Sequence, residues 1–251
     1  MNGWPLFRHA FLMLVRNIRM ALQISVLPVL IFTLAFFLLD RFSDDPGVAD
    51  RERVPFDQPI TGLPDLEPGG ILSFLVLLAL GLTTAWIGVV WHRYILLGER
   101  AGLPLAKVGL VELGLYLFAC IKLLFLFTIL AIPTVLLMVL IPAAGTGNLL
   151  FPLVLTGMLF FLGTVLPSAA LGKRQRTKDA LGAVRGDAGS IIVVTVLMVG
   201  FNSLIGQFIG LLGDHFFMGA VSLAATWLSV FLHLSIFTTI YGFYMEGRAL
   251  G

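Results

Sequence analysis

The sequence predicts an all-α protein, a polytopic membrane bundle of six transmembrane helices, on three observations. The first is composition: 59% of the 251 residues are hydrophobic and only 12% are charged, with a mean hydropathy of +1.01. A soluble domain carries about 25% charged residues, because its surface must hold water, so most side chains here face lipid. The second is length, because the apolar residues fall into six segments that each suffice to cross about 30 Å of hydrocarbon at ~1.5 Å per residue. The third is charge: Lys and Arg collect in alternate connections, the pattern that sets membrane orientation.

Taken in order, the first segment runs from Leu22 to Leu39 and is stopped by Asp40-Arg41. Its apolar core exceeds a signal-peptide h-region of about 7–15 residues, and no small-x-small cleavage site accompanies it, so it reads as a retained crossing. The second runs from Ile71 to Val90, and the third ends near Ile141-Pro142. The fourth spans Leu149–Leu171 and is closed by Lys173-Arg174-Gln175-Arg176. The fifth covers Ile191–Leu212 and the sixth Phe216–Tyr241. The chain reads as one integral membrane domain over residues 1–251.

Charge counts give the sidedness. Arg8, Arg16 and Arg19 precede the first crossing; Arg93, Arg100 and Lys107 follow the second; Lys173, Arg174, Arg176, Lys178 and Arg185 follow the fourth. On the other side, the 40–70 loop has three arginines against eight acids, Pro142–Asn148 is uncharged, and the fifth-to-sixth turn offers only Asp214. Both termini are therefore expected in the cytoplasm of a bacterial inner membrane. The acidic 40–70 loop, with five prolines and few apolar residues, reads as an irregular periplasmic flap. Clustered acids such as Asp44-Asp45 lack the spaced ligands and glycine turn of a calcium loop.

The basic segments share a plan. Trp4, Phe7, Phe11, Leu14, Val15 and Ile18 recur at helical spacing, so residues 1–20 are expected to form an amphipathic interfacial helix. Leu103–Glu112 and Lys178–Arg185 are shorter versions, and Asn17 and Asp187 occupy comparable points before their crossings. The pattern is three hairpins, each introduced by an interfacial helix. Lys122 then falls in the first turn of lipid-crossing helix and reaches back to the basic surface. Pro28, Pro133 and Pro167 are expected to kink their helices.

Two polar groupings stand out as candidate sites. His92, Arg93, Glu99 and Arg100, with Arg185, suit a cytoplasmic contact for a lipid phosphate or a partner; the competing reading is interface anchoring by Trp91, Tyr94 and the arginines. Asn202, Gln207 and His233 suit an intramembrane polar path, against ordinary interhelical hydrogen bonding. The four histidines are scattered, no phosphate-cradling or dinucleotide glycine motif occurs, and no G-x-S-x-G elbow is present. The one cysteine, Cys120, rules out a disulfide framework. No catalytic residue, metal site or cofactor is expected, and a basic balance spread over short connections does not suggest nucleic acid.

At Arg93–Glu99, at Ala180–Ser190 and at Ile240–Leu250 the chain resembles uncharacterised bacterial six-helix inner-membrane proteins. It is distantly similar to the membrane domain fused to some glycerophosphodiester phosphodiesterases, which share basic loops with an Arg/Lys-Gly-Asn/Asp turn before a membrane helix. Their catalytic domain has no counterpart in this sequence, so the resemblance implies a membrane location and no chemistry. The leading expectation is a non-enzymatic accessory or assembly subunit, or an envelope-organising protein, with lipids and another membrane protein as partners. The alternative is a small transporter or channel.

Overall fold

The computed structural model describes residues 3–43, 68–99, 108–140, 147–211 and 218–250. These residues form helices α1 (Trp4–Arg16), α2 (Ile18–Ser43), α3 (Pro68–Leu97), α4 (Leu110–Leu140), α5 (Gly147–Leu162), α6 (Val165–Ala170), α7 (Thr177–Arg185), α8 (Ala188–Leu211) and α9 (Met218–Glu246), with no strand among them. Four helices are long and apolar enough to cross a membrane, within α3, α4, α8 and α9. A fifth crossing results if α1 and the first half of α2, bent by 65°, count together. Most of the acidic loop, residues 44–67, lies outside the described residues, as do Arg100 and Asp214.

Two of the six expected segments are not among those four. The first lies within α2, whose first half is the second member of the bent pair. The expected fourth, Leu149–Leu171, is divided at Gly163-Thr164 into α5 and α6. Pro167 explains the division, since a proline has no N–H and its ring collides with the carbonyl four residues before it. That carbonyl belongs to Gly163. The 16 residues of α5 reach only ~24 Å. A Cβ on Gly163 would overlap the Phe237 ring, so this glycine also lets α9 approach closely.

Of the three expected introducing helices, α1 and α7 are present ahead of α2 and α8. Residues 103–107 lie outside the described residues, and Leu110–Glu112 belong to α4 itself. Asn17 makes the bend between α1 and α2. Its Nδ2 donates to the Met13 carbonyl at 2.7 Å, closing α1, and its own carbonyl accepts from the Ala21 N–H, opening α2.

The helix α1 packs chiefly on α9 and α8, with one face buried there and most of its apolar stripe turned outward. Leu6, Ala10 and Leu14 are buried, whereas Trp4, Phe11, Val15 and Ile18 are exposed. Ala10 is small enough to let the helices approach closely, so the bulky apolar stripe is left facing outward.

Burial is lopsided along the long helices. In α3 the buried residues run from Ala85 to Leu96, in α8 from Ser190 to Val199, and in α9 from Phe231 to Gly242. Their other halves expose Phe74, Leu77, Leu204, Phe208 and Leu223. The core thus lies toward one end of the bundle, the end where α1, α7 and the basic residues collect. Gly88 belongs to that core: a Cβ there would overlap the Tyr116 side chain, whereas one on Gly81 meets nothing within 4 Å. Gly88→Leu is expected to cost about 1–3 kcal/mol of stability and Gly81→Leu close to nothing, read as thermal unfolding in mild detergent. Equal melting temperatures would contradict this packing.

Candidate functional site

The densest polar cluster lies where the C-terminal turns of α3, α6 and α9 meet the start of α4. Arg93 is its centre. Its Nε and Nη2 donate to Glu99 Oε2 and Oε1 at 2.8 and 2.7 Å, a bidentate pair that suits the guanidinium fork. Its Nη1 donates to the Ala170 carbonyl at 3.2 Å, at the end of α6, and lies 3.6 Å from Glu112 Oε1 in the first turn of α4. One cation thus ties three elements. Arg248 does similar work beside it, donating from Nη2 to the Leu96 carbonyl at 2.8 Å and pairing with Glu246.

Each of α3, α6 and α9 ends on a glycine with positive φ: Gly98 (69°), Gly172 (74°) and Gly247 (66°). A side chain is strained in this left-handed region, and it lets the chain turn back and satisfy terminal carbonyls. At Gly172 the turn has the Schellman pattern, with Gly172 N–H on the Ala169 carbonyl and Lys173 N–H on the Ser168 carbonyl, both 2.9 Å. The three glycines are spaced 74 and 75 positions apart.

Two tyrosines close a second correspondence. Tyr94, near the end of α3, donates its hydroxyl to Asn17 Oδ1 at 2.8 Å. Tyr244, near the end of α9, donates to Asp187 Oδ2 at 3.0 Å. Asn17 and Asp187 stand at the bends before α2 and α8. Asp187 Oδ1 also accepts from Ser190 Oγ at 2.7 Å. Burial pushes this carboxyl up, but the hydrogen bonds it accepts, from Ser190 and Tyr244 among others, outweigh that and hold it below its ordinary range.

His92 is adjacent to Arg93 in sequence but does not join its cluster, because consecutive helix residues point about 100° apart. It is fully buried, with Nδ1 2.8 Å from Thr238 Oγ1 on α9 and Nε2 3.4 Å from Tyr116 Oη on α4. The Thr238 hydroxyl spends its one hydrogen on the Leu234 carbonyl at 2.7 Å. It can therefore only accept from His92, which assigns the proton to Nδ1. Nε2 then accepts from Tyr116. The imidazole is a tie between α3, α4 and α9, hydrogen-bonded to two hydroxyls and, among the described residues, to no carboxylate.

The second expected grouping divides. Asn202 Oδ1 accepts from Ser229 Oγ at 2.8 Å, and His233 Nδ1 donates to the Ser229 carbonyl at 2.8 Å, so two of the three polar residues meet through Ser229. Gln207 is exposed; five residues after Asn202, it is turned about 140° around α8. His233 stacks near Phe160 and borders an apolar groove of about 410 Å³ that neither Asn202 nor Gln207 lines. Arg185 is exposed at the end of α7, and Arg100 lies outside the described residues. Among the described residues no three His, Cys, Asp or Glu side chains converge as a metal site would need.

Sequence reasoning missed Tyr116, Thr238 and Glu112 as partners of this end. It named Lys122 apart from the run Lys173-Arg174-Gln175. The structure brings those four onto one cleft of about 460 Å³ between α4, α6 and the 171–176 connection.

Fold and polar ties together define an all-helical protein with several membrane-spanning helices, closed at one end by hydrogen bonds and ion pairs. No protein-family model matches the chain, and neither a curated protein nor a solved structure is significantly similar to it.

Two outcomes follow. Arg93→Lys keeps the charge but not the fork, so it is expected to lose about 1–3 kcal/mol of stability, seen as a lower melting temperature; a melt unchanged from wild type would contradict the clamp. Because the folded Asp187 carboxyl lies below its unfolded value, its contribution is full at pH values above about 3.9 and is lost as the pH falls through the folded value. Melts across that range should show a steeper acid loss for wild type than for Asp187→Asn, and parallel curves would contradict it.

Proposed function

We propose that the chain is a non-enzymatic integral membrane protein that acts through helix and lipid contacts, as an accessory or assembly subunit or an organiser of the envelope. The observation that carries this reading is the lopsided burial. At the packed end Arg93, Glu99, Glu112, His92, Tyr116 and Thr238 are engaged with one another, which holds helices in place. The outer halves of α3, α4, α8 and α9 present large apolar side chains, such as Phe125 at 65% and Phe208 at 60% exposure. A membrane protein of this shape offers its neighbours surface rather than chemistry.

The topology we propose with it has six crossings in a bacterial inner membrane and both termini cytoplasmic. Here α2 is the first crossing and α5–α6 a single broken fourth one. The charge alternation supports the orientation. The 74- and 75-residue spacing of Gly98, Gly172 and Gly247, and the matching Tyr94–Asn17 and Tyr244–Asp187 bonds, support three hairpin repeats about an axis along the membrane normal. The exposed Trp4, Phe11, Val15 and Ile18 stripe suits α1 lying at the cytoplasmic interface with its other face on the bundle. The distant resemblance to phosphodiesterase-linked membrane domains belongs to the same proposal. The transporter reading gains no specific observation, since the groove beside His233 is lined by neither Asn202 nor Gln207.

A photo-crosslinking residue at Phe125 or Phe208, in native membranes, tests the subunit reading. The expected result is a discrete protein adduct, to a second protein or a second copy, at one of these positions and none from exposed Arg8. Lipid adducts alone at both positions would overturn it.

A further inference from the structure

We propose that the cleft between α4, α6 and the 171–176 connection binds one anionic glycerophospholipid, with its phosphate among Lys122, Lys173 and Arg174 and its acyl chain along α4. The cleft holds about 460 Å³, and its lining combines basic and apolar side chains. Lys122, Lys173 and Arg174 contribute three cations to its lining, and among the described residues no acid pairs with any of them. The nearby Glu112 is turned to Arg93 instead. The remaining wall is apolar, formed by Leu110, Leu115 and Phe118 on α4 and Val165 and Ala169 on α6. Phe118 is 66% exposed, so that wall opens sideways to the bilayer.

A lysine about two-fifths of the way along an apolar helix, as Lys122 is in α4, is costly unless it reaches water, a counter-charge or a headgroup. Lys122 reaches the connection that carries Lys173 and Arg174. This connection is held in place: the Gly172 turn fixes its start, and Gln175 Nε2 donates to Thr164 Oγ1 at 3.2 Å. Three cations lining one cleft with an apolar wall match a phosphate joined to an acyl chain better than a free phosphate, which would leave the wall unused. Basic pockets between membrane helices recognise anionic headgroups on the same terms. The inference depends on the chain lying in a bilayer and not on the subunit reading, which it would survive or fail without.

The test uses the full-length protein, purified and delipidated in detergent, with phosphatidylglycerol or phosphatidylcholine added and retention read by native mass spectrometry. Wild type should retain phosphatidylglycerol selectively. Lys122→Gln/Lys173→Gln/Arg174→Gln should weaken that retention roughly a hundredfold, from three basic groups worth about fivefold each. The charge-matched Arg8→Gln/Arg19→Gln/Lys178→Gln should keep it. Gly114→Phe is the second variant: Gly114 lines the cleft and its added Cβ meets nothing within 4 Å, so the ring fills the apolar part with all three cations intact. It should weaken phosphatidylglycerol retention while folding normally by circular dichroism. Equal retention of phosphatidylcholine, or equal loss in the two triple variants, would overturn the site. Displacement by inorganic phosphate with no effect of Gly114→Phe would assign the cations to a soluble anion and overturn the lipid.

Discussion

Hydrocarbon offers no hydrogen-bond partner, so each polar group a membrane helix carries into it must be satisfied by another part of the chain. This constraint organises most of the structure, with the buried Trp91 Nε1 and Thr239 Oγ1 left unpaired among the described residues. Serine and threonine hydroxyls along the helices turn back to carbonyls of their own turn, as Ser25, Thr195, Ser235 and Thr238 do. Groups that reach further are used between helices: Trp227 Nε1 on Ser25 Oγ at 2.6 Å, Ser229 on Asn202, His92 on Thr238. Almost all of them involve α9. It touches α1, α3, α6, α7 and α8, and its buried stretch from Phe231 to Gly242 is the axis on which the others are hung.

The second consequence concerns helix ends. A helix terminus leaves several carbonyls without partners, and here three termini crowd one end of the bundle. Positive-φ glycines turn the chain back at each, and arginines from neighbouring segments take carbonyls at α3 and α6. Arg93 and Arg248 therefore serve as caps as well as ion-pair members, and lysine does not offer the same fork. Because these contacts sit beside α1, the first helix is built into the core rather than laid on its surface.

Much of this was legible in the sequence. Apolar length gave the helices, the basic segments gave α1 and α7, Pro167 gave the break before α6, and Asn17 and Asp187 were placed as equivalents before they were seen to share a tyrosine partner. The packing of α1 on the bundle was not legible. Periodicity marked an interfacial helix with an apolar stripe, but not the second face of Leu6, Ala10 and Leu14 that packs on α8 and α9. The sequence cluster of His92 with Arg93 failed for another reason: neighbours along a helix face different directions, and only tertiary packing reveals that one goes to Thr238 and the other to Ala170. The polar path through Asn202, Gln207 and His233 lost Gln207 to the same helical rotation. Lys122 was expected at the basic surface, but its meeting with Lys173 and Arg174 joins segments that composition cannot align.

The central claim is that α1 is part of the core, and its melting behaviour tests this most directly. Ala10 is fully buried against the bundle and Phe11 is exposed, one residue apart on the same helix. The thermal unfolding of Ala10→Leu and Phe11→Ala, compared side by side in one detergent, should show a clear loss for the added bulk at Ala10 and little change at Phe11. Similar melts for both variants, or a larger loss at Phe11, would place α1 on the surface and contradict the structure at its base.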